Sequence, residues 1–169
     1  KGAENITKNH HVHIAEIVFL AESKNFEGID IDYENKKSET AVSFSKFIKS
    51  LSGKLHKKKK ILSCSVEART PLKSRFISVP KDLKYANDYY VLGKYCDEVR
   101  ILAYDQRNID LLLNKQKDGA KLYMPVSDPA WVEKVIKETK RYVASSKIVL
   151  GVSTFGHEYE IKKDREKYV

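Results

Sequence analysis

Between Phe26 and Glu34 the chain reads Phe-Glu-Gly-Ile-Asp-Ile-Asp-Tyr-Glu. Carboxylates stand at every second position, Asp30, Asp32 and Glu34, with Ile29, Ile31 and Tyr33 between and before them. A period of two is the period of a β-strand, whose successive side chains point to opposite faces. One face therefore carries the three acids and the other the apolar and aromatic residues. An exposed edge strand with alternating charge has the same period, but Phe26, Gly28 and the β-branched alternate residues fit a core strand better. A core strand that shows charge on one face is a strong constraint. Those acids must share protons and hydrogen bonds, because an isolated buried charge is heavily penalised.

The flanking segments supply the rest of the architecture. Ile14, Ile17, Val18 and Ala21 recur at helical spacing within 7–24, and Asn25 is a stop signal. After the acidic strand, Ser38 is the expected cap of a helix with Val42, Phe44, Phe47, Ile48 and Leu51 on its apolar face, and Gly53 weakens its last turn. Further strands are expected at 60–66, 98–104 and 147–152, and 83–95 reads as helical in part. Ser127-Asp128-Pro129 caps a helix running to about Ala144, with Trp131, Val132, Val135 and Ile136 as its apolar members. Between them, 106–129 is a long excursion with weak internal pattern.

Strand and helix alternate four times, which argues for parallel strands joined by crossover helices and an α/β class. No glycine-rich phosphate loop follows any of these strands, so a closed barrel is preferred to a nucleotide-binding sheet. A complete (β/α)₈ TIM barrel takes roughly 250 residues. The 169 residues present would then make an incomplete barrel fragment.

In a barrel the acids point to the interior, and Glu34 falls at the carboxyl end of its strand, where such barrels build their active sites. Asp32, with Asp30 one step deeper, is expected to raise the proton affinity of at least one member of the group. A carboxyl then stays protonated near neutral pH and donates to a leaving oxygen. The three titrate as a coupled set.

The segment is similar to the DGxDxDxE signature of glycoside hydrolase family 18, the chitinase and endo-N-acetylglucosaminidase family. Two further stretches extend the resemblance. Ile101-Leu102-Ala103-Tyr104-Asp105 is similar to the family's M-x-Y-D segment, and 147–156 to its late K-x-x-L-G-x-x-x-Y-G pattern. The match covers about residues 14–159 and places the chain at about strands four to seven of the barrel, so that 1–169 is a partial catalytic domain. Glu27 stands where the signature has its first aspartate, Leu102 where methionine is usual and Phe155 where tyrosine is common.

The resemblance implies a hydrolase cleaving β-1,4 bonds next to N-acetylglucosamine, in chitin or peptidoglycan type glycans. Glu34 would be the acid/base, Asp32 would orient the 2-acetamido group, and Asp30 would support Asp32. Tyr104 would bind the acetamide oxygen, with Asp105 beside it. The implied reaction is retaining and substrate-assisted, the acetamide oxygen taking the place of an enzyme nucleophile. The alternative is a catalytically silent, glycan-binding barrel of lectin type. Silent relatives lose the final glutamate or the aspartate before it, whereas this chain keeps both.

The remaining features bound the partners. With 41% hydrophobic and 10% aromatic residues the chain can bury a core. No apolar run approaches the ~18 residues of a membrane span. A net charge of +9 suits an acidic partner, but the lysines are spread over helix faces and loop ends. The dense run Lys57-Lys58-Lys59-Lys60 reads as solvated, and nucleic acid is given no role. The cluster His10, His11 and His13 lacks zinc-ligand spacing and is read as surface histidine. Neither a metal nor another cofactor is implied. Cys64 and Cys96 are read as ordinary barrel residues and not as a disulfide framework. Trp131 sits on a helix's apolar face and is read as packing. Both ends of the chain look cut. The resemblance favours an extracellular or cell-envelope setting, and the oligomeric state is left open.

Overall fold

In the computed structural model, which describes residues 9–106, 125–158, 163–164 and 167–168, the expected alternation is present. Helix α1 (His10–Ser23) leads into β1 (Gly28–Asp32), α2 (Ala41–Lys57) and β2 (Ile61–Glu67). The single-turn α3 (Leu72–Arg75), α4 (Tyr89–Tyr95), β3 (Glu98–Leu102), α5 (Pro129–Thr139) and β4 (Ile148–Gly151) follow. Two short strands, β5 (Lys163–Asp164) and β6 (Lys167–Tyr168), pair antiparallel. Strands β1 to β4 form one sheet in sequence order, and every adjacent pair is parallel. Parallel neighbours need a crossover connection, and these connections carry the helices.

The core lies between the sheet and these helices. Phe44, Phe47, Ile48, Leu51 and Leu55 recur at helical spacing along α2 and are all buried. Each is worth about 1.5–3 kcal/mol of apolar burial. Against them pack Ile31 of β1, Leu62 and Val66 of β2, and Val99 and Ile101 of β3. Val42, expected on the same helix face, is 67% exposed. At about 100° per residue it lies roughly 200° around the axis from Phe44.

Several local expectations change in the structure. Ser38 does not cap α2: it opens a 3₁₀ turn, Ser38–Thr40, and the helix N-terminus has no side-chain cap. Thr40 turns its hydroxyl back to the Lys37 carbonyl, at 2.6 Å. The helix continues past Gly53 to Lys57 and stops where Lys59 takes the left-handed conformation, φ 55°. The lysine run is tied down in part, with Lys58 paired to Glu22 at 2.8 Å and Lys60 donating to the Phe26 carbonyl at 2.6 Å. Asp128 does cap α5, accepting from the amides of Ala130 and Trp131, with Pro129 in the first position. That helix ends at Thr139, short of Ala144. Trp131 is fully buried, as a packing residue should be.

The cysteines are not independent barrel residues. Cys64 and Cys96 form a disulfide across a separation of 32 residues, with Cα atoms 6.2 Å apart. Spacing could not reveal this, because only the fold brings the middle of β2 to the end of α4. Most of the 106–129 excursion lies outside the described residues.

Candidate active site

The acidic strand is shorter than the pattern suggests, since β1 is Gly28–Asp32 and Phe26 lies outside it, 47% exposed. Its register is set at the start by Gly28. A Cβ there would sit 2.4 Å from the Ile61 carbonyl oxygen, so only glycine admits this approach of β1 to β2. Asp30 is then aligned with Ser63 and Asp32 with Ser65. Ile31 is buried against the helices, as the alternation requires, which puts Asp30 and Asp32 on the opposite face.

That face is not a closed interior within this chain. Strand β1 is an edge of the sheet, and Asp30, Asp32 and Glu34 are exposed. Within these residues the charges of the three acids meet solvent and specific partners. Ser65 donates its hydroxyl to Asp30 Oδ2 at 2.8 Å, and Arg100 Nε lies 3.8 Å from Asp30 Oδ1. Arg100 also donates from Nε to Ser63 Oγ and from Nη2 to Glu98 Oε2, each at 2.8 Å. Asp30 is thus one member of a cross-strand network over β1, β2 and β3.

Beyond β1 the chain leaves the sheet at Tyr33 and Glu34, and Asn35 follows in the left-handed conformation, φ 53°. Asparagine tolerates this region better than most side chains. Tyr33 stacks on Phe47 with ring centres 5.9 Å apart and hydrogen-bonds His13 Nε2 through its hydroxyl. Burial pushes the Tyr33 phenol above its usual range. His13 is accordingly no surface histidine, since it also stacks on Phe47 at 5.6 Å. The aromatic pile fixes the backbone from which Glu34 projects.

Tyr104 and Asp105 follow the end of β3. Gly151 of β4 lies beside the Tyr104 ring, where a Cβ would meet Cε1 at an ordinary contact distance of 3.5 Å and the Ile101 carbonyl oxygen more tightly, at 3.1 Å. The Phe155 ring stands edge-on to Tyr104 at 6.2 Å. Burial raises the Tyr104 phenol, and the nearby charges of Asp32, Glu34 and Asp105 raise it further. The hydroxyl therefore remains a donor across the neutral range. Asp105 takes a left-handed backbone, φ 55°, and pairs with His157 at 2.9 Å. The five residues singled out by pattern thus sit on the ends and one face of β1 and β3, with Tyr104 in electrostatic reach of Asp32, Glu34 and Asp105.

Pattern reasoning passed over Lys36, Glu67 and His157. Glu67 ends β2 at the same carboxyl end of the sheet, its Oε2 accepting from Asn87 Nδ2 at 2.6 Å. Lys36 donates to the Tyr33 carbonyl and lies 4.5 Å from the centre of the Phe44 ring. Burial lowers its proton affinity, while Glu67, Asp32 and Glu34 act in the opposite direction. The only hint in the sequence was the closeness of Lys36 to Glu34. Among the described residues, no group of three or more histidine, cysteine, aspartate or glutamate side chains could hold a metal ion. None of the described helices is long and apolar enough to cross a membrane.

Four consecutive parallel strands with their crossover helices, and acids gathered at the carboxyl ends, define an arc of a (β/α)₈ barrel. Over residues 2–168 the chain matches the family described as Glycosyl hydrolases family 18, and it belongs to that family. A curated relative, the Uncharacterized glycosylase YvbX of Bacillus subtilis (strain 168), is 24% identical over 147 residues, 87% of this chain and 38% of that protein. Among solved structures, a chitinase from Chromobacterium violaceum ATCC 12472 aligns with a TM-score of 0.69 and 27% identity, over 88% of this chain and 42% of that one. The spore cortex-lytic enzyme SleL of Bacillus cereus shares the fold, with a TM-score of 0.61 and 22% identity over 82% of this chain and 27% of that one. The chain spans about two-fifths of the length of the first two of these proteins.

Proposed function

We propose that residues 1–169 are part of the catalytic domain of a glycoside hydrolase that cleaves β-1,4 bonds next to N-acetylglucosamine in chitin or peptidoglycan type glycans. The observation that carries this reading is that Asp32 and Glu34 at the end of β1 and Tyr104 and Asp105 just past the end of β3 lie at the same, carboxyl end of one parallel sheet. Membership of the family and the likeness to a chitinase support it.

In this reading Glu34 protonates the glycosidic oxygen as the bond breaks. The substrate's acetamide oxygen attacks the anomeric carbon from the other side and forms a cyclic oxazolinium, so no carboxylate nucleophile is needed. Asp32 orients and charge-compensates the acetamido nitrogen, and the Tyr104 hydroxyl donates to the acetamide oxygen. Glu34, now a carboxylate, takes a proton from water as that water reopens the ring and restores the anomeric configuration. Asp30, held by Ser65, positions the strand beneath Asp32, and Asp105, paired with His157, flanks Tyr104.

The test uses the full-length parent chain, incubated separately with chitooligosaccharides and peptidoglycan, with Glu34→Gln as control. New reducing ends are identified by mass spectrometry. Products ending in N-acetylglucosamine that vanish in the control, with glycan binding retained, are expected, and the productive glycan names the substrate. Binding of either glycan without any hydrolysis by the parent would replace the enzyme by the lectin reading.

A further inference from the structure

Strand β2 lies between β1 and β3, so the loop that leaves its carboxyl end starts between the strand of Asp32 and Glu34 and the strand of Tyr104. That loop, residues 68–85, holds five basic side chains, Arg69, Lys73, Arg75, Lys81 and Lys84, against one acid, Asp82. A basic loop thus adjoins the acidic strand ends.

Two of the cations are built into the structure of the loop. The Arg69 guanidinium lies 3.6 Å from the centre of the Tyr85 ring and 4.2 Å from that of Tyr89. Its Nη2 donates to the Asn87 carbonyl at 3.0 Å. Asn87 Nδ2 donates to Glu67 Oε2 at 2.6 Å, and the Tyr89 hydroxyl donates to the Glu67 carbonyl at 2.7 Å. The group is thereby anchored to the last residue of β2. Arg75, which ends α3, reaches the same Tyr85, with Nη1 3.4 Å from its hydroxyl and the guanidinium 5.8 Å from its ring centre.

Both guanidiniums are half-buried, and among the described residues neither is paired with a carboxylate. The nearby acids have other partners, Glu67 accepting from Asn87 and Asp88 capping α4. Two like charges that share one ring repel each other, and an anion placed against both removes that cost. Guanidinium presents five N–H donors in a fixed fork that matches a carboxylate. Arg69 uses one on Asn87, and its contact with two rings fixes the direction of the others.

Resting on the reading of this site as a glycosidase, we propose that Arg69 and Arg75 form a subsite for a carboxylate carried by the glycan, so that peptidoglycan type chains are selected over chitin. Chitin is neutral and leaves the two guanidiniums unanswered. Peptidoglycan bears carboxylates on its lactyl and peptide substituents, which reach this loop while the sugars lie along the strand ends. Lys73, Lys81 and Lys84, exposed on the same loop, add a field of the same sign that draws an anionic chain to this face.

The experiment uses the full-length parent and its Arg75→Gln and Arg75→Lys variants on two soluble substrates, uncrosslinked peptidoglycan strands and the same strands with their carboxyls amidated. The parent is expected to show a KM about ten-fold lower for the carboxylate form. In Arg75→Gln the ratio of the two KM values should fall close to unity while the ratio of kcat values stays in place. Lysine, which keeps the charge without the fork, should restore part of the preference. Added salt should shrink the parent's KM ratio. A merely structural role of Arg75 would change both substrates alike, so equal KM ratios in the parent and Arg75→Gln would overturn the proposal. A parent that hydrolyses neither substrate would defeat the glycosidase reading on its own. Calorimetric binding of the two strand preparations to the same chains then decides the subsite. Equal affinities would overturn it, and a carboxylate preference lost in Arg75→Gln would uphold it.

Discussion

Cys64, in the middle of β2, is covalently joined to Cys96, the residue that follows the last turn of α4. The bond closes a loop of 32 residues that contains the end of β2, Glu67, Asn87 and all of α4. Both cysteines are fully buried in the core shared with Leu92 and Val99. The connection between two central strands is thereby pinned at its two ends.

By loop-closure entropy the bond contributes about 3–4 kcal/mol. Urea unfolding of the parent chain should show a loss of that order with reductant present or in Cys96→Ser. Unreduced protein, denatured and treated with iodoacetamide, should leave both cysteines unlabelled. Labelling of both without reductant would mean that the bond is not formed.

Gly28 makes a second prediction. A methyl group at this position meets Ile61 Cγ1 at 2.3 Å and the Ile61 carbonyl oxygen at 2.4 Å. The side chain can turn away, but the carbonyl belongs to the strand. Gly28→Ala should therefore push β1 away from β2, cost about 1–3 kcal/mol, and weaken the Ser65 to Asp30 hydrogen bond above it. Activity should fall with stability, and lowering the temperature should recover only part of it. A variant with parental stability and rate would show that the strand can shift without consequence.

The alternation of strands and helices was legible because each element writes its own period, as in Phe44, Phe47, Ile48 and Leu51 along α2. The acidic face was legible because Asp30, Asp32 and Glu34 lie on one strand, and the apolar positions beside Tyr104 marked a second one. What stayed hidden depends on long-range approach. Nothing local to Cys64 points to Cys96, and nothing near Lys36 points to Glu67, 31 positions on. His13 reads as a surface residue until α1 is laid against Tyr33 and Phe47. Capping failed at Ser38 because a 3₁₀ turn moved the helix start to Ala41, an outcome that backbone geometry decides and residue type does not.

Tyr104 should be separable from the acid by kinetics. Its phenol is raised by burial and by the charges of Asp32, Glu34 and Asp105, so it keeps its proton through the neutral and mildly alkaline range. Tyr104→Phe should then lower kcat by about 10²-fold, the scale of one lost hydrogen-bond donor at developing charge, without moving the alkaline limb of the pH profile. Displacement of that limb in Tyr104→Phe would give the phenol a titrating role that its surroundings argue against.

Asp97 links folding to pH. Burial works against its charge, but the Leu62 amide at 2.8 Å and the His56 imidazole at 2.8 Å outweigh it, with Lys147 adding to them at longer range. The carboxyl is held below its usual range, so the folded state binds its proton less readily than the unfolded chain. The stability it supplies is fully present above the unfolded value, about pH 4, and is lost as pH falls through the lower folded value. Asp97→Asn should be less stable than the parent by about 1 kcal/mol at pH 7, a small figure because the group is partly solvated. The difference should close as the pH approaches about 2. Urea midpoints of the two proteins across this range measure it directly. A gap of constant size from neutral to acid would assign the loss to the Leu62 amide alone, with no contribution from the carboxylate's charge.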